Sequence, residues 1–472
     1  MSKDELIGFV ASGSSATYCR VILIEGKEDL VREEDFAFVL DRGTRVLGIL
    51  RLGRGTDENL RPEGYSPGIA YVRKGLVPAS SRRSFSFGFS VIGRMEGTEI
   101  KPNRLVITPG SPVYLCRKNP FENLSKKYLY GRARHWEHDW SIPLDPSGIP
   151  MHIGVFASTG GGKSYLTWEV LIPLMLHAGY SVLVFDWHGL DYVPKVEPAR
   201  VLNIFDIRLD EEVVARYINE KARYFGFKTV DNKVFLNLRE VIEADDSWRN
   251  LKPEEFPKWL LERLAEVYGK NWEKYEPIIS RGLSKLSLED WQKLLGKITP
   301  AKLIEKVMDE KLIILDMSGF GDEEKLSVFL SIGKEIKQQM LNGKTVNLAL
   351  VIDEAPQYVP YHRTPIGGIQ SQVKKLISDL AATGRKFKLA LILIAQGMAG
   401  DIGIDPAIRR NLNTHFIGRL LPQDKKEVET LLEAHHISFE NILRLEPGQF
   451  YLEGKINPFP TPILISFDIG GK

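Results

Sequence analysis

The residues Ala157-Ser158-Thr159-Gly160-Gly161-Gly162-Lys163-Ser164 are the strongest chemical signal in the chain. They lie between an apolar run, IGVFA, and a stretch of helical periodicity, SYLTWEVLIPLMLHAG. In that setting, successive backbone N–H groups of the turn and of the helix start cradle phosphate oxygens. Lys163 can then reach the β- and γ-phosphates, and the Ser164 hydroxyl can ligate Mg²⁺. The usual pattern is GxxxxGK[ST]. Here Ala157 takes the first position and the Gly-Lys-Ser end is intact. Thr159, Gly160, Gly161, Gly162, Lys163 and Ser164 are the expected ATP-binding residues.

A second signal is Leu348-Ala349-Leu350-Val351-Ile352-Asp353-Glu354, a buried-strand pattern ending in two carboxylates. Asp353 is expected to hold Mg²⁺ through water, and Glu354 to polarise the attacking water. The glutamate favours a hydrolase over a kinase. Two other strand ends compete for the metal, Asp186 after SVLVF and Asp316 after KLIIL. Asp316 has no adjacent base, and Asp186 sits on the strand straight after the phosphate-loop helix. Asp353 is therefore preferred, with Asp191 given a secondary role near the water or phosphate. Gln396 ends the apolar run LALILIA. It could contact the γ-phosphate or the water, or be a satisfied buried amide. Gly384-Arg385-Lys386 precedes that run. An arginine there could reach a neighbouring subunit's ATP, although a solvated basic turn is the simpler reading of these residues alone.

Several elements must position these groups. The chain has 472 residues, 43% hydrophobic and 26% charged, enough for a sizeable core and roughly three domains. Its 63 Lys and Arg against 61 Asp and Glu leave +2, too little to coat the molecule with nucleic acid by bulk charge. Cys19 and Cys116 exclude a disulfide scaffold and Cys-rich metal motifs. No 18-residue window is apolar and free of charge, and the start lacks a signal-peptide core, so a soluble cytoplasmic protein is expected. Seven β-like segments open the chain: GFVAS, YCRVILI, FAFVL, RVLGILRL, IAYVRKG, SFSFGFSVIG and RLVITPGSPVYLCR. They predict a small barrel or sandwich over residues 1–120. A linker at 121–150 carries Lys126, Lys127, Arg132 and Arg134. An α/β core begins at 151–205, pauses for a helical insertion at 206–310, and resumes at 311–472.

Taken together, ASTGGGKS, FDWHGLDY, ILDMSG, LVIDEA, GRKFKLALILIAQ and NLNTHFIGRL, with AYVRKG and GSPVYLCR in the β-rich start, resemble the archaeal HerA-type hexameric ATPases of the HerA/FtsK superfamily. The resemblance covers nearly the whole chain. It implies a RecA-like P-loop ATPase core with an N-terminal barrel and a helical insertion. It makes Gln396 the sensor and Arg385 the trans arginine finger. Asp186, His188 and Asp191 match the family's Asp-x-His-Gly-Glu-Tyr stretch, with Asp191 where Glu is usual. Pro150-Met151-His152 lacks the arginine the family tends to carry there, and no such role is transferred.

The resemblance further implies an ATP-driven hexameric translocase or helicase on double-stranded DNA, acting with a NurA-type nuclease in end resection and recombinational repair. In a ring, a few basic residues per subunit repeat around a pore and can meet duplex phosphates despite the low net charge. Arg363 in the loop after the acidic pair, and Arg409 and Arg410, are the candidates, although Arg409 and Arg410 could instead stabilise a subunit contact. The alternatives are a nucleotide-gated scaffold that recruits or activates a nuclease, and a conjugation or DNA-packaging ATPase of the same superfamily.

Overall fold

The alternating pattern of the first 115 residues produces strands in the computed structural model, which describes residues 4–60, 67–76, 83–124, 127–361 and 367–467. These are β1 (Glu5–Val10), β2 (Tyr18–Leu23), β3 (Phe36–Asp41), β4 (Thr44–Asp57), β5 (Arg83–Glu96), β6 (Glu99–Lys101) and β7 (Pro112–Leu115). Antiparallel pairing runs β2-β1-β7-β3-β4-β5, and β2 pairs back onto β5. The sheet therefore closes as a barrel, with β6 an arm on β5, and closure removes the open edges. Ile7, Val21, Val39, Val46, Leu50, Phe89 and Val113 fill its interior. The β4–β5 register shifts at Leu47/Gly48. A Cβ at Gly48 would come within 2.5 Å of the Phe89 ring, so the bare backbone there makes room for the largest core side chain. The expected strand IAYVRKG is instead part of a helix, Pro67–Arg73. A short apolar run does not by itself distinguish the two periods.

The remaining strands are β8 (Leu129–His135), β9 (Ser141–Leu144), β10 (Ile153–Phe156), β11 (Ser181–Asp186), β12 (Val201–Asn203), β13 (Leu312–Asp316), β14 (Leu348–Ile352), β15 (Leu389–Ala395), β16 (Thr414–Ile417), β17 (Phe450–Gly454) and β18 (Ile463–Ser466). The chain falls into two units. One comprises Met1–Ile149, Val155–Leu174 and Asn413–Lys472, and the other Pro150–Gly154 and Met175–Leu412.

In the first unit, β16, β17, β18, β8 and β9 form an antiparallel series, so the segment read as a linker contributes two strands. A buried ion pair ties the barrel to this series. Arg51 donates to both Glu34 carboxylate oxygens at 2.8 and 3.0 Å, and to Thr461 Oγ1 and the Pro462 carbonyl. The Tyr451 hydroxyl donates to Glu34 Oε1 at 3.1 Å.

In the second unit the strand order is β12-β13-β11-β14-β15, and every neighbouring pair is parallel. SVLVFD, LALVI and LALILIA are buried at every position, as strands covered on both faces must be. The helical insertion lies between β12 and β13, with helices from Glu211–Lys221 to Pro300–Glu310. Its centre is aromatic: Trp248 stacks on Phe256 at 5.0 Å, and Trp291 meets Phe256 edge-on at 5.3 Å. Among the described residues no helix is long and apolar enough to cross a membrane.

Candidate active site

In the first unit, the phosphate-loop candidate leaves β10 and turns under tight backbone control. The Gly418 N–H donates to the Phe156 carbonyl at 2.8 Å, and the Ser158 N–H to the Arg419 carbonyl at 2.7 Å. Gly160 and Gly162 adopt φ of +77° and +95°, a region that favours glycine. A Cβ on Gly162 would also stand 3.1 Å from the Gly448 nitrogen, whose N–H donates to the Gly161 carbonyl at 3.1 Å. Ala157 keeps an ordinary backbone conformation and is fully buried. A Cβ at Gly161 or Gly418 would come within 2.9 Å of its methyl. Those two bare positions accommodate the methyl, which explains why alanine is tolerated where the usual pattern begins with glycine.

Lys163 opens the helix Lys163–Leu166. Its ammonium donates to the Ala157 and Ser158 carbonyls at 2.8 and 3.3 Å, which holds it at the mouth of the turn. Ser164 follows on the same helical turn, half-buried, while Thr159 is exposed. The helix then passes through a π-helical turn, Thr167–Leu171, of the kind often found at functional sites. A glycine-rich turn at a helix start, with a lysine beside it, fits a polyphosphate.

In the second unit the chemistry gathers at the carboxyl ends of β11, β14 and β15, where open α/β sheets bind ligands. Register pairs Phe185 with Ile352, and Ile352 with Leu393, so Asp186 and Asp353 emerge side by side, with Gln396 two residues further along the neighbouring chain segment. Asp186 is fully buried. Its carboxylate accepts the N–H groups of Gly189, Asp191, Tyr192 and Val193 at 2.8–3.2 Å. It therefore shapes the loop that presents Asp191, which separates its part from that of Asp353. Asp316 turns instead to the Ser318 N–H at 2.9 Å.

Oxygens of Asp186, Asp191 and Asp353 lie within 4.8 Å of one another. Burial pushes the Asp353 carboxyl up to about 8, reinforced by the charges of Asp191, Glu354 and Asp186. A crowded set of hard oxygen ligands, partly desolvated, fits Mg²⁺.

Glu354 follows Asp353 in a left-handed conformation, φ +46°. For a side-chain-bearing residue that costs on the order of 1–3 kcal/mol, and such strain clusters where a group must be aimed. Gln396 Nε2 donates to Glu354 Oε1 at 3.1 Å. The glutamine is thus hydrogen-bonded to the candidate base itself.

Arg385 is exposed in the turn Gly384–Phe387, which precedes β15. The seven residues of β15 span roughly 23 Å, so Arg385 lies at the opposite end of that strand from Gln396. From there it does not serve its own Glu354. Arg409 ends the helix Pro406–Arg409, and its guanidinium donates to the Met398 carbonyl. Arg410 is exposed, and Arg363 lies outside the described residues.

One contributor escaped the sequence reading. Lys325, nearly buried, donates to the Trp187 carbonyl at 2.9 Å and sits 4.5 Å from the centre of the Trp187 ring. It steadies the Asp186–Val193 loop from behind. A lysine on the core side of Asp322–Leu341 was the only signal, and it was unreadable without knowing which face is inside.

Residues 130–340 match the family model described as the central domain of helicase HerA. The chain is 24% identical over 490 residues to the DNA double-strand break repair helicase HerA of Sulfolobus acidocaldarius, covering 97% of this chain and 92% of that one. It is also 24% identical over 445 residues to a probable DNA double-strand break repair helicase HerA of Methanocaldococcus jannaschii, covering 81% and 86%. Among solved structures, VirB4 of Thermoanaerobacter pseudethanolicus aligns with a TM-score of 0.47 at 16% identity, over 73% of this chain and 98% of that one.

Proposed function

We propose that this chain is an ATP-hydrolysing P-loop enzyme of the HerA type, as its similarity to the helicase HerA family model and relatives supports, and that it uses ATP to drive movement on double-stranded DNA during double-strand break repair. The observation that carries this reading is Glu354: strained, aimed, and hydrogen-bonded to Gln396 beside the aspartate cluster. A water activated by a fixed carboxylate is what separates a hydrolase from a protein that only binds nucleotide.

In this reading the Thr159–Ser164 backbone binds the phosphates and Lys163 offsets their charge. Ser164 and Asp353 would hold Mg²⁺, with Asp191 beside Asp353 as a supporting carboxylate. When bound, Mg²⁺ neutralises charge on the phosphate oxygens. Glu354 accepts the proton of the attacking water, and Gln396 fixes the rotamer in which it does so. Arg385 acts on a neighbour's nucleotide, as its place at the far end of β15 favours. That requires a homo-oligomer, which we take to be a hexamer. Arg363 and Arg410 are the pore candidates for duplex phosphates. Arg409, bonded to the Met398 carbonyl, positions the segment after β15. A NurA-type nuclease is the proposed partner and the cytoplasm the proposed location.

The test is ATP hydrolysis with and without linear duplex DNA, on wild type and Glu354→Gln, with assembly mass measured in the same buffer. Duplex should stimulate turnover by a ring, and Glu354→Gln should lower kcat by about a hundredfold to ten-thousandfold while ATP still binds. A ring whose negligible turnover ignores duplex would refute the motor and favour the nuclease-recruiting scaffold.

A further inference from the structure

Within the first unit, away from the phosphate loop in sequence, the β8–β9 turn and the loop before β3 bring three ligating groups of two chemical kinds together. We propose that Asp35, Glu137 and His138 form a binding site for a divalent transition-metal cation of the zinc class. Each offers one ligand atom, and these atoms lie within 4.8 Å of one another. They border a cavity of about 410 Å³, whose lining also includes Phe36, Leu115, Cys116 and Trp140.

Each group is held and keeps an atom to give. Asp35 is only 6% exposed. Its Oδ2 accepts the Arg32 N–H at 2.8 Å, and among the described residues nothing donates to Oδ1. That second oxygen is therefore available to a cation. Glu137 receives the Arg32 guanidinium on Oε1, leaving Oε2. The His138 ring is set against Trp140 at 4.3 Å and stacked on His135 at 5.1 Å and 12°, and no hydrogen bond engages its nitrogens among the described residues.

The turn is also braced from below. The backbone N–H groups of Glu137 and His138 both point at His135 Nδ1, at 3.3 Å each. That ring's other nitrogen donates to the Glu34 carbonyl at 3.3 Å. The tautomer is thereby set, and buried His135 acts as the kind of outer support that metal sites use to fix their ligands.

The donor set selects the ion class. Two carboxylates and one imidazole suit zinc and its neighbours, whereas Mg²⁺ prefers oxygen and water alone. Ligand atoms at zinc distances stand roughly 3.3 Å apart, so modest side-chain rotations would close the set. Asp29, Asp35 and Glu137 against Arg32 and Arg117 leave the cavity lining net negative. A cation there would pin the β8–β9 turn to the loop that enters the barrel at β3.

The experiment uses the full chain, stripped with chelator and titrated with Zn²⁺ in excess Mg²⁺ to occupy the aspartate cluster. Wild type, His138→Ala and Glu137→Gln are compared by equilibrium dialysis, thermal midpoint and the visible spectrum of the Co²⁺ form. Both substituted residues are exposed, and far-UV circular dichroism checks that each variant folds. The expected result is one Zn²⁺ per wild-type chain, a raised thermal midpoint, and affinity reduced more than ~10-fold in each variant, beyond the lower bound for losing an outer support. Failure of wild type to retain Zn²⁺ in excess Mg²⁺, or unchanged affinity in either variant, overturns the proposal.

Discussion

Replacing Gln396 with leucine removes its hydrogen bond to Glu354 and tests whether that bond belongs to catalysis. The side chain is half-buried just beyond a fully buried strand, and leucine nearly conserves its volume, so the fold should survive. At Glu354, what is lost is the 3.1 Å contact from Gln396 Nε2 to Oε1. A hydrogen bond to a charged group contributes about 1.5–3 kcal/mol net. If that restraint acts fully in the transition state, kcat falls roughly 10- to 150-fold, at about 1.4 kcal/mol per decade.

The assay is steady-state ATP hydrolysis with saturating duplex, with kcat and KM resolved. If the glutamine acts through the candidate base, the drop should sit in kcat, with KM for ATP unchanged. In a Glu354→Gln background, Gln396→Leu should add little further loss, since residues acting as a unit are non-additive. An unchanged kcat would show that the hydrogen bond is incidental. A raised kcat would show that Gln396 restrains Glu354 away from water, and the assigned role would be reversed.

Three further outcomes follow from the geometry. If Arg385 completes a neighbour's site, Arg385→Ala and Glu354→Gln should each be inactive alone, yet mixed and reassembled subunits should regain partial ATPase; no recovery on mixing refutes the trans assignment. His152 is buried, its Nδ1 accepting the Leu391 N–H at 3.1 Å and its Nε2 donating to the Ala381 carbonyl at 2.9 Å, and burial lowers its pKa to about 4. Because the folded value lies below the unfolded ~6.5, this contribution is complete above that pH and is lost as pH falls toward 4, roughly 3 kcal/mol in all. His152→Asn, which tolerates the φ of +67°, should flatten that slope in urea unfolding at pH 7 and pH 4.5, and an unaltered slope would refute the assignment. Finally, Arg51→Met strands the buried Glu34 carboxylate beside Tyr451 and should cost about 3–5 kcal/mol, read as a lower thermal midpoint. A midpoint within error of wild type would refute that account of the barrel's attachment.

Much of the site was legible because its chemistry is local. A glycine-rich turn between a strand and a helix carries its own backbone donors, and an acidic pair closing an apolar run carries its own burial. Ser158–Ser164 and Leu348–Glu354 could therefore be read in place, and the apolar run before Gln396 marked a buried strand. Legibility ended where partners come from elsewhere in the chain. Sequence alone left Asp186 competing with Asp353, because nothing local shows that four backbone N–H groups converge on Asp186. The run IAYVRKG has apolar residues in both a strand and a helix phase, and it folded as the helix. Arg409 looked like any exposed basic residue until the Met398 carbonyl was found against it.

Local pattern was enough for the candidate phosphate loop, the acidic strand end and the β-rich character of the first 115 residues, because hydrophobic period and glycine placement act over a few neighbouring residues. It took the folded chain to show that the early strands close into a barrel and that Asp191 stands beside Asp353. The folded chain also shows that Gln396 grips Glu354, and that Asp35 meets Glu137 and His138. These are meetings of residues distant along the chain, set by strand order, register and the packing of a shared core. No local pattern carries that information, since the same short runs could pair differently until the whole core excludes every other arrangement.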